Sequence, residues 1–198
     1  MKLNKTDFTK YIEAFLEENS KVNLISRNDE KFLWEKHIFD SLSIEIFFEK
    51  YGSDYKTLLD IGTGGGFPSV PVALVYPELE VWALDSIRKK INAIENIKSA
   101  LKIENLYTIC DRAENIKEKF DIITSRAVAP LKVIAGYAAP HLNNNGYFIA
   151  YKSRRIEEEI AEASQVLEKL HLKITDIIEY NLPLEENYVR NLVVIKRR

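Results

Sequence analysis

Glycines and acids in two short stretches are the residue types in this chain that suit binding of a nucleoside. Residues 60–68 read Asp-Ile-Gly-Thr-Gly-Gly-Gly-Phe-Pro and hold four of the seven glycines in the chain. Without a Cβ, Gly62, Gly64 and Gly66 can adopt positive φ and let the backbone approach a ligand closely. An apolar run precedes this stretch, and residues 70–75 can form a helix after it. The pattern predicts a strand, a glycine turn and a helix, which together place backbone amides against a ligand.

The spacing of these glycines favours S-adenosylmethionine over a nicotinamide dinucleotide. A dinucleotide fingerprint is Gly-x-Gly-x-x-Gly, and counted from Gly62 the place of its third glycine is held by Phe67. The chain instead reads Asp-x-Gly-x-Gly-x-Gly, with Asp60 first. Asp60 is predicted to reach the ammonium group of the methionine part of the cofactor, directly or through water. A generic turn between a strand and a helix is the alternative interpretation.

Asp85, 25 residues after Asp60, is predicted to bind the ribose of the cofactor. It ends a second apolar run, residues 80–85, where an acid can accept hydrogen bonds from both ribose hydroxyls. Hydrogen bonds to a charged group contribute about 1.5–3 kcal/mol each. Capping of the next helix is the alternative role, although Ser86 is also available as that cap. NAD binding requires the same acid, so Asp85 indicates a nucleoside cofactor but does not distinguish NAD from S-adenosylmethionine.

Two further segments are expected at the same edge of the sheet. Asp111-Arg112-Ala113-Glu114 follows a third predicted strand, and its position predicts an adenine pocket. Residues 125–130, Ser-Arg-Ala-Val-Ala-Pro, follow a fourth strand and are named here the acceptor segment. This segment has neither a cysteine nor the Asn/Asp-Pro-Pro-Tyr/Phe motif that positions an exocyclic amine. Arg126 would place a cation beside the sulfonium pocket, or would pair with a nearby acid at the surface.

Three other residues have reactive side chains but are not assigned to the site. Cys110 ends the third strand and is interpreted as a buried small apolar residue rather than a nucleophile. His141 and His171 are expected at the surface.

Alternating predicted strands and helices position these segments. A helix with apolar residues from Ile87 to Leu101 follows the second strand, and another helix, residues 131–142, ends in a predicted turn at residues 143–146. A fifth strand, a further helix and two strands without a helix between them complete the chain. Alternation of this kind predicts a parallel sheet with helices on both faces. The predicted fold class is α/β: a Rossmann-like methyltransferase fold whose seven-stranded, mostly parallel sheet carries an antiparallel strand at its end.

Residues 1–52 are predicted to form a helical extension, named here the N-terminal extension, and residues 53–198 the Rossmann-like domain. Apolar residues from Phe8 to Leu16 recur at helical spacing, with Thr6 as the predicted N-cap. A loop over residues 22–29 and a second helix from about Glu30 are expected to follow.

Composition and charge exclude several classes of protein. The chain has 198 residues, 46% of them hydrophobic and 29% charged, which fits a globular domain with a small extension. One cysteine excludes an internal disulfide and a cysteine-based zinc site, and no metal site is expected. The first residues lack the apolar core of a signal peptide, and no run approaches about 18 apolar residues. We therefore expect a cytoplasmic monomer without a membrane partner.

The net charge of −2 gives no global signature of a nucleic-acid-binding protein, so any such surface must be local. Three basic groups are the candidates for phosphate contacts, with a solvated surface as the alternative for each: Arg88-Lys89-Lys90, Lys152 with Arg154-Arg155, and Lys196-Arg197-Arg198.

Taken together, these motifs resemble the RsmG family, also called glucose-inhibited division protein B, of bacterial 16S rRNA guanine-N7 methyltransferases. The resemblance covers nearly the whole chain. The pair of motifs His-x-x-Asp-Ser-Leu and Ser-Arg-Ala is far more specific for this family than the glycines are. One departure is Ser153, which follows Lys152 where the family usually has glycine. The matching segments are Val22 to Leu24, His37 to Leu42, the glycine loop with Phe67-Pro68, Leu84 to Ser86, Arg112 to Glu114, Phe120-Asp121, Ser125 to Ala127 and Arg190 to Lys196.

The resemblance implies methyl transfer from S-adenosylmethionine to N7 of a guanine in 16S rRNA, within a small ribosomal subunit or its assembly intermediate. It implies an orienting role for Arg126 and no catalytic dyad, because guanine N7 carries a free lone pair. A methyltransferase for small molecules or proteins, a non-enzymatic nucleotide-binding module and a nicotinamide oxidoreductase are the alternatives. The implied cofactor contacts are Gly62, Phe67, Ala113, Glu114 and Arg126.

Overall fold

A seven-stranded sheet is the centre of the computed structural model, which describes residues 4–154, 156–186 and 188–197. The strand order is β3-β2-β1-β4-β5-β7-β6; β1 to β5 are parallel, and β7 is antiparallel to both β5 and β6. This confirms the predicted fold class, with the antiparallel strand lying one place inside the edge strand. The strands are β1 (Thr57–Ile61), β2 (Glu80–Leu84), β3 (Leu106–Ile109), β4 (Phe120–Arg126), β5 (Leu142–Ser153), β6 (Leu172–Leu182) and β7 (Tyr188–Arg197).

The N-terminal extension is helical, as predicted, but its first turn differs from the prediction. Its elements are a 3-10 turn (Lys5–Phe8), α1 (Thr9–Val22), α2 (Arg27–Glu30), a π-helix (Leu33–Phe39), α3 (Asp40–Leu42) and α4 (Ile44–Tyr51). The predicted N-cap at Thr6 is wrong, because the helical turn already begins at Lys5 and its N-cap is Asn4. The amide of Asn4 donates to the carboxylate of Asp7 at 3.1 Å, which stabilises this earlier start.

Helices cover both faces of the sheet. α5 (Ser69–Val75) and α6 (Arg88–Leu101) pack on one face, while α7 (Leu131–Ala138) and α8 (Glu157–Lys169) pack on the other. Successive residues of a strand point to opposite faces, so Leu58 belongs to the first apolar cluster and Leu59 to the second. The N-terminal extension joins the first cluster. It therefore packs on the Rossmann-like domain, although the boundary at residue 52 stays a prediction.

The predicted turn at residues 143–146 is wrong, because these residues lie within β5. The pairing between β4 and β5 shifts there from Phe120 opposite Leu142 to Ile122 opposite Tyr147, so the extra residues bulge out of the strand. The side chain of Asn143 donates to Asp121 at 2.8 Å. A Cβ at Gly146 would lie 2.9 Å from the carbonyl oxygen of Asp121, so the close approach of the two backbones requires glycine. Among the helices of the described residues, none has the length and apolar character needed to cross a membrane.

Candidate functional site

A cavity of about 400 Å³ lies at the carboxyl ends of β1 to β4. Its size falls within the range of about 300–1,000 Å³ that small-molecule sites occupy, and ligands of open parallel sheets bind at this edge. Four of the predicted cofactor residues line it: Gly62, Asp85, Ala113 and Glu114. The other predicted residues do not line the cavity: Asp60, Gly64, Gly66, Phe67 and Arg126.

The glycine loop adopts the positive φ angles that its sequence predicts. Gly62, Gly64 and Gly66 have φ of 72°, 59° and 88°. A Cβ at Gly62 would collide with the side chain of Val128 in the acceptor segment, and a Cβ at Gly66 would lie 2.6 Å from Val70 Cγ2 in α5. The loop is therefore packed between the acceptor segment and the helix that follows it.

Asp85 lines the cavity and also supports the glycine loop. Its Oδ2 accepts a hydrogen bond from the amide of Gly64 at 3.0 Å, and its Oδ1 accepts one from the amide of Ile87 at 2.9 Å. Ser86 does not cap the following helix, because the N-cap residue is Ile87, whose amide donates to Asp85. Each carboxylate oxygen has a second lone pair. Asp85 thus retains acceptors for two ribose hydroxyls.

Asp60 is fully buried at the end of β1, behind the glycine loop. Its Oδ1 accepts from the hydroxyl of Thr124 at 3.0 Å. Its Oδ2 has no hydrogen-bond partner in the described part of the chain. Burial raises the pKa of Asp60 to about 6, against the opposing influence of the hydroxyl groups of Thr63 and Thr124, the charge on Arg126 and the amide of Ser69. An unpartnered buried carboxylate oxygen at this place fits a cofactor that carries positive charge.

Arg126 ends β4 and pairs with a buried acid rather than with a surface one. Its Nη1 donates to the carbonyl oxygen of Lys36 and to Asp40 Oδ2, both at 3.0 Å, and its guanidinium lies 5.2 Å from the ring centroid of Phe67. The Arg126 side chain is 12% exposed and the Asp40 side chain 2%. The Ser-Arg-Ala motif and the His-x-x-Asp-Ser-Leu motif are thus in direct contact, although 86 residues separate Asp40 from Arg126.

Asp40 also accepts hydrogen bonds from the last two strands. Tyr180 Oη donates to Asp40 Oδ1 at 2.6 Å, while Nε and Nη2 of Arg190 donate to the two carboxylate oxygens at 3.2 and 3.3 Å. We name Asp40, Arg126, Tyr180 and Arg190 the Asp40 cluster. The sequence did not predict this cluster, although Asp40 and Arg126 belong to the two motifs that carry the family resemblance.

His37 is held in one tautomer by Arg126. Arg126 Nη2 lies 3.0 Å from His37 Nδ1, and because a guanidinium only donates, Nδ1 is the acceptor and the neutral ring carries its proton on Nε2. Burial and the charge of Arg126 lower the pKa of His37 to about 4, so the ring is neutral at pH 7. Nε2 is buried and makes no hydrogen bond within the described residues.

His141 was expected at the surface, and this expectation is wrong. The residue is 4% exposed, and its ring nitrogens lie 2.8 Å from the carbonyl oxygen of Ala113 and 3.1 Å from that of Glu118. It thereby supports the segment that lines the cavity after β3. His171 is exposed, as expected, and Cys110 is half-buried rather than buried.

Phe67 is 3% exposed and faces the N-terminal extension. Its ring centroid lies 5.0 Å from that of His37 and 5.1 Å from that of Phe15. Its contact with a cofactor therefore stays a prediction. Glu114 is exposed at the wall of the cavity.

The three basic groups differ in their surroundings. Arg88 and Lys89 are exposed, and Lys90 lines the cavity. Lys152 donates to the carbonyl oxygen of Ala129 at 3.0 Å, and Arg197 donates to that of Ala139 at 2.7 Å. Arg155 and Arg198 lie outside the described residues. Within residues 4–154, 156–186 and 188–197, no three His, Cys, Asp or Glu side chains are grouped so as to hold a metal ion.

The raised pKa of Asp60 predicts how stability depends on pH. From pH 3.8 to about 6 the unfolded chain has lost the proton that folded Asp60 retains, so this residue lowers stability as the pH rises. Asp60→Asn removes that dependence. We expect the free energy of unfolding of the variant, relative to the wild type, to rise by about 2 kcal/mol between pH 4 and 6. Urea unfolding at several pH values measures it, and a constant difference would contradict the assignment.

Solved structures of similar fold include methyltransferases. A S-adenosylmethionine-dependent methyltransferase from Clostridium acetobutylicum ATCC 824 matches with a TM-score of 0.65 and 16% identity, over 85% of this chain and 95% of that one. M. jannaschii TYW2 in complex with AdoMet matches with a TM-score of 0.59 and 18% identity, over 80% and 77%. At these identities the likeness concerns the fold alone.

Proteins of similar sequence show the family of this chain as well as its fold. The ribosomal RNA small subunit methyltransferase G of Thermoanaerobacter sp. (strain X514) is 39% identical over 96% of this chain and 80% of that protein. The protein of the same name from Bacillus subtilis (strain 168) is 34% identical, over 96% and 81%. Residues 4–188 match the sequence model of the GidB family, which is described as rRNA small subunit methyltransferase G. With a fold, a cavity and motifs that agree, this chain belongs to the GidB family of methyltransferases.

Proposed function

We propose that this protein transfers a methyl group from S-adenosylmethionine to N7 of a guanine in the 16S rRNA of the small ribosomal subunit. One observation supports N7 as the methylated atom: the acid and base groups beside the acceptor segment already take part in hydrogen bonds. Both oxygens of Asp40 already accept hydrogen bonds, and Nδ1 of His37 accepts one from Arg126. A neighbourhood of this kind suits an acceptor that needs no deprotonation.

Each part of the cofactor has candidate binding residues at or near the cavity. Asp85 would accept hydrogen bonds from the ribose hydroxyls, and Ala113 with Glu114 would lie beside the adenine. The glycine loop would approach the methionine part, and the unpartnered oxygen of Asp60 would favour its positive charge. When bound, S-adenosylmethionine supplies a methyl group on a sulfonium, which a ring nitrogen with a free lone pair attacks without losing a proton.

In this proposal Arg126 orients a reactant and does not take a proton. Guanine presents N7 and O6 as acceptors on its major-groove edge. A guanidinium held by Asp40 and by the Lys36 carbonyl keeps a fixed position, and it can orient the cofactor or the guanine without taking a proton. Holding two reactants in line can lower a reaction barrier by about 7–11 kcal/mol.

The RNA substrate follows from the family. The relatives carry a small-subunit rRNA methyltransferase name, and the net charge of −2 disfavours tight binding of bare RNA. We therefore infer a substrate recognised by shape and by single-stranded loops within a small subunit or its assembly intermediate, in the cytoplasm. Arg88, Lys89 and Lys90 beside the cavity are the basic group best placed to contact its phosphates.

The ribose role of Asp85 predicts a loss of cofactor affinity. We expect Asp85→Ala to weaken S-adenosylmethionine binding by at least about tenfold, because two charge-assisted hydrogen bonds are lost. Isothermal titration measures it, with Asp54→Ala, an exposed acid in the linker before β1, as the control that leaves affinity unchanged. Binding of NAD together with no heat from S-adenosylmethionine would reject the cofactor assignment.

The proposed acceptor predicts where a labelled methyl group appears. We expect tritium from labelled S-adenosylmethionine to enter 16S rRNA when small ribosomal subunits are supplied. Digestion of that RNA to nucleosides and mass spectrometry should then give 7-methylguanosine. Bare rRNA and total protein are the parallel substrates. Label found only in protein would reject the rRNA substrate, and another methylated nucleoside would reject the N7 position.

A further inference from the structure

We propose that Asp40 is a positioning residue for methyl transfer, which sets the orientation of Arg126 at the reaction site and does not itself line the cofactor cavity. This inference rests on the proposed function and assigns a task to the N-terminal extension within it. Asp40 begins α3, whereas its partners lie on β4, β6 and β7. A residue of the extension therefore controls a side chain of the acceptor segment.

The geometry of the Asp40 cluster requires a carboxylate. Asp40 is 1% exposed, and its two oxygens accept one hydrogen bond from Arg126, two from Arg190 and one from Tyr180. An asparagine at this place would offer one acceptor oxygen and would turn its NH2 group toward a donor. It would also remove the charge that holds two guanidinium groups near one another. The amide would thus release at least one arginine from its present position.

Arg126 connects this cluster to the reaction site. It is followed directly by Ala127 and Val128, which line the cavity, and Val128 contacts Gly62 of the glycine loop. The other hydrogen bonds of Arg126 go to a backbone carbonyl and to the neutral ring of His37. Asp40 is thus the charged partner that fixes the guanidinium. A displacement on the order of 1 Å in a positioned group can cost on the order of 100-fold in rate.

Asp40→Asn should affect the rate of methyl transfer more than it affects cofactor affinity. Its hydrogen-bond partners, Arg126, Tyr180 and Arg190, lie outside the lining of the cavity. The cofactor-facing groups are supported separately, since Asp85 accepts from Gly64 and Ile87 and the Ala113 carbonyl is bound by His141. A defect at Asp40 should therefore persist in kcat at saturating cofactor, with at most a small change, transmitted through Arg126, in the dissociation constant of the cofactor.

Asp176 provides a matched control. It lies on β6 and accepts hydrogen bonds from Lys50 and Tyr51 of α4, at 2.5 and 3.1 Å. Asp176→Asn therefore makes the same chemical change and also breaks a contact between the N-terminal extension and the last strands. It leaves the Asp40 cluster intact. A general loosening of the extension would affect both variants, whereas loss of positioning affects Asp40→Asn alone.

The experiment measures wild type, Asp40→Asn, Tyr180→Phe and Asp176→Asn with small ribosomal subunits and saturating tritiated S-adenosylmethionine. Isothermal titration gives cofactor affinity, and circular dichroism gives the folded fraction and Tm. We expect Asp40→Asn to lower kcat at least about tenfold with cofactor affinity within about threefold of wild type. Tyr180→Phe, which removes one bond to the same carboxylate, should give a smaller loss in the same direction. Asp176→Asn should keep wild-type kcat.

The outcomes separate this inference from the function on which it rests. A folded Asp40→Asn variant with wild-type kcat overturns the inference, as does an equal loss in Asp176→Asn. If Asp40→Asn does not fold, Tyr180→Phe decides, and an unchanged kcat in that variant overturns the inference. An inactive wild type with competent subunits overturns the proposed function, whatever the variants do.

Discussion

One buried carboxylate, that of Asp40, makes the contact on which the arrangement of the site depends. An ionised carboxylate buried without partners would cost several kcal/mol of desolvation. The chain offsets this cost with Arg126, Arg190 and Tyr180, which come from three different strands. Breaking such a buried pair by removing one partner typically costs about 3–5 kcal/mol. The N-terminal extension is consequently held against the carboxyl end of β4, beside the glycine loop.

The glycine loop contacts both the N-terminal extension and the acceptor segment. A Cβ at Gly65 would lie 3.3 Å from Leu24 Cβ of the extension, and a Cβ at Gly62 would collide with Val128 of the acceptor segment. The extension and the acceptor segment thus touch the loop from different sides. Phe67 extends the same packing, since its ring centroid lies 5.1 Å from that of Phe15 and 5.2 Å from the guanidinium carbon of Arg126. At Gly62 and Gly66 the lack of a side chain is thus required by the neighbouring residues as well as by the positive φ angle.

Local patterns in the sequence predict the sheet, its parallel character and the place of Asp85, because strand periodicity and chain order determine which residues meet at one edge. They do not predict the Asp40 cluster, since contacts over 86 to 150 residues leave no local periodicity. His141 shows the same limit: its partners, the carbonyls of Ala113 and Glu118, are backbone groups that no side-chain pattern marks. The incorrect cap at Thr6 and the incorrect turn at residues 143–146 arose where a neighbouring side-chain hydrogen bond favoured a different local structure.

The central claim is that the cavity between the carboxyl ends of β1 to β4 holds the cofactor with its reactive end toward the acceptor segment. A crystal structure with S-adenosylhomocysteine bound tests this claim most directly. The account predicts ribose hydroxyls hydrogen-bonded to Asp85, adenine beside Ala113 and Glu114, and the sulfur on the side of Arg126. A ligand bound in another cavity, or with its ribose away from Asp85, would contradict it.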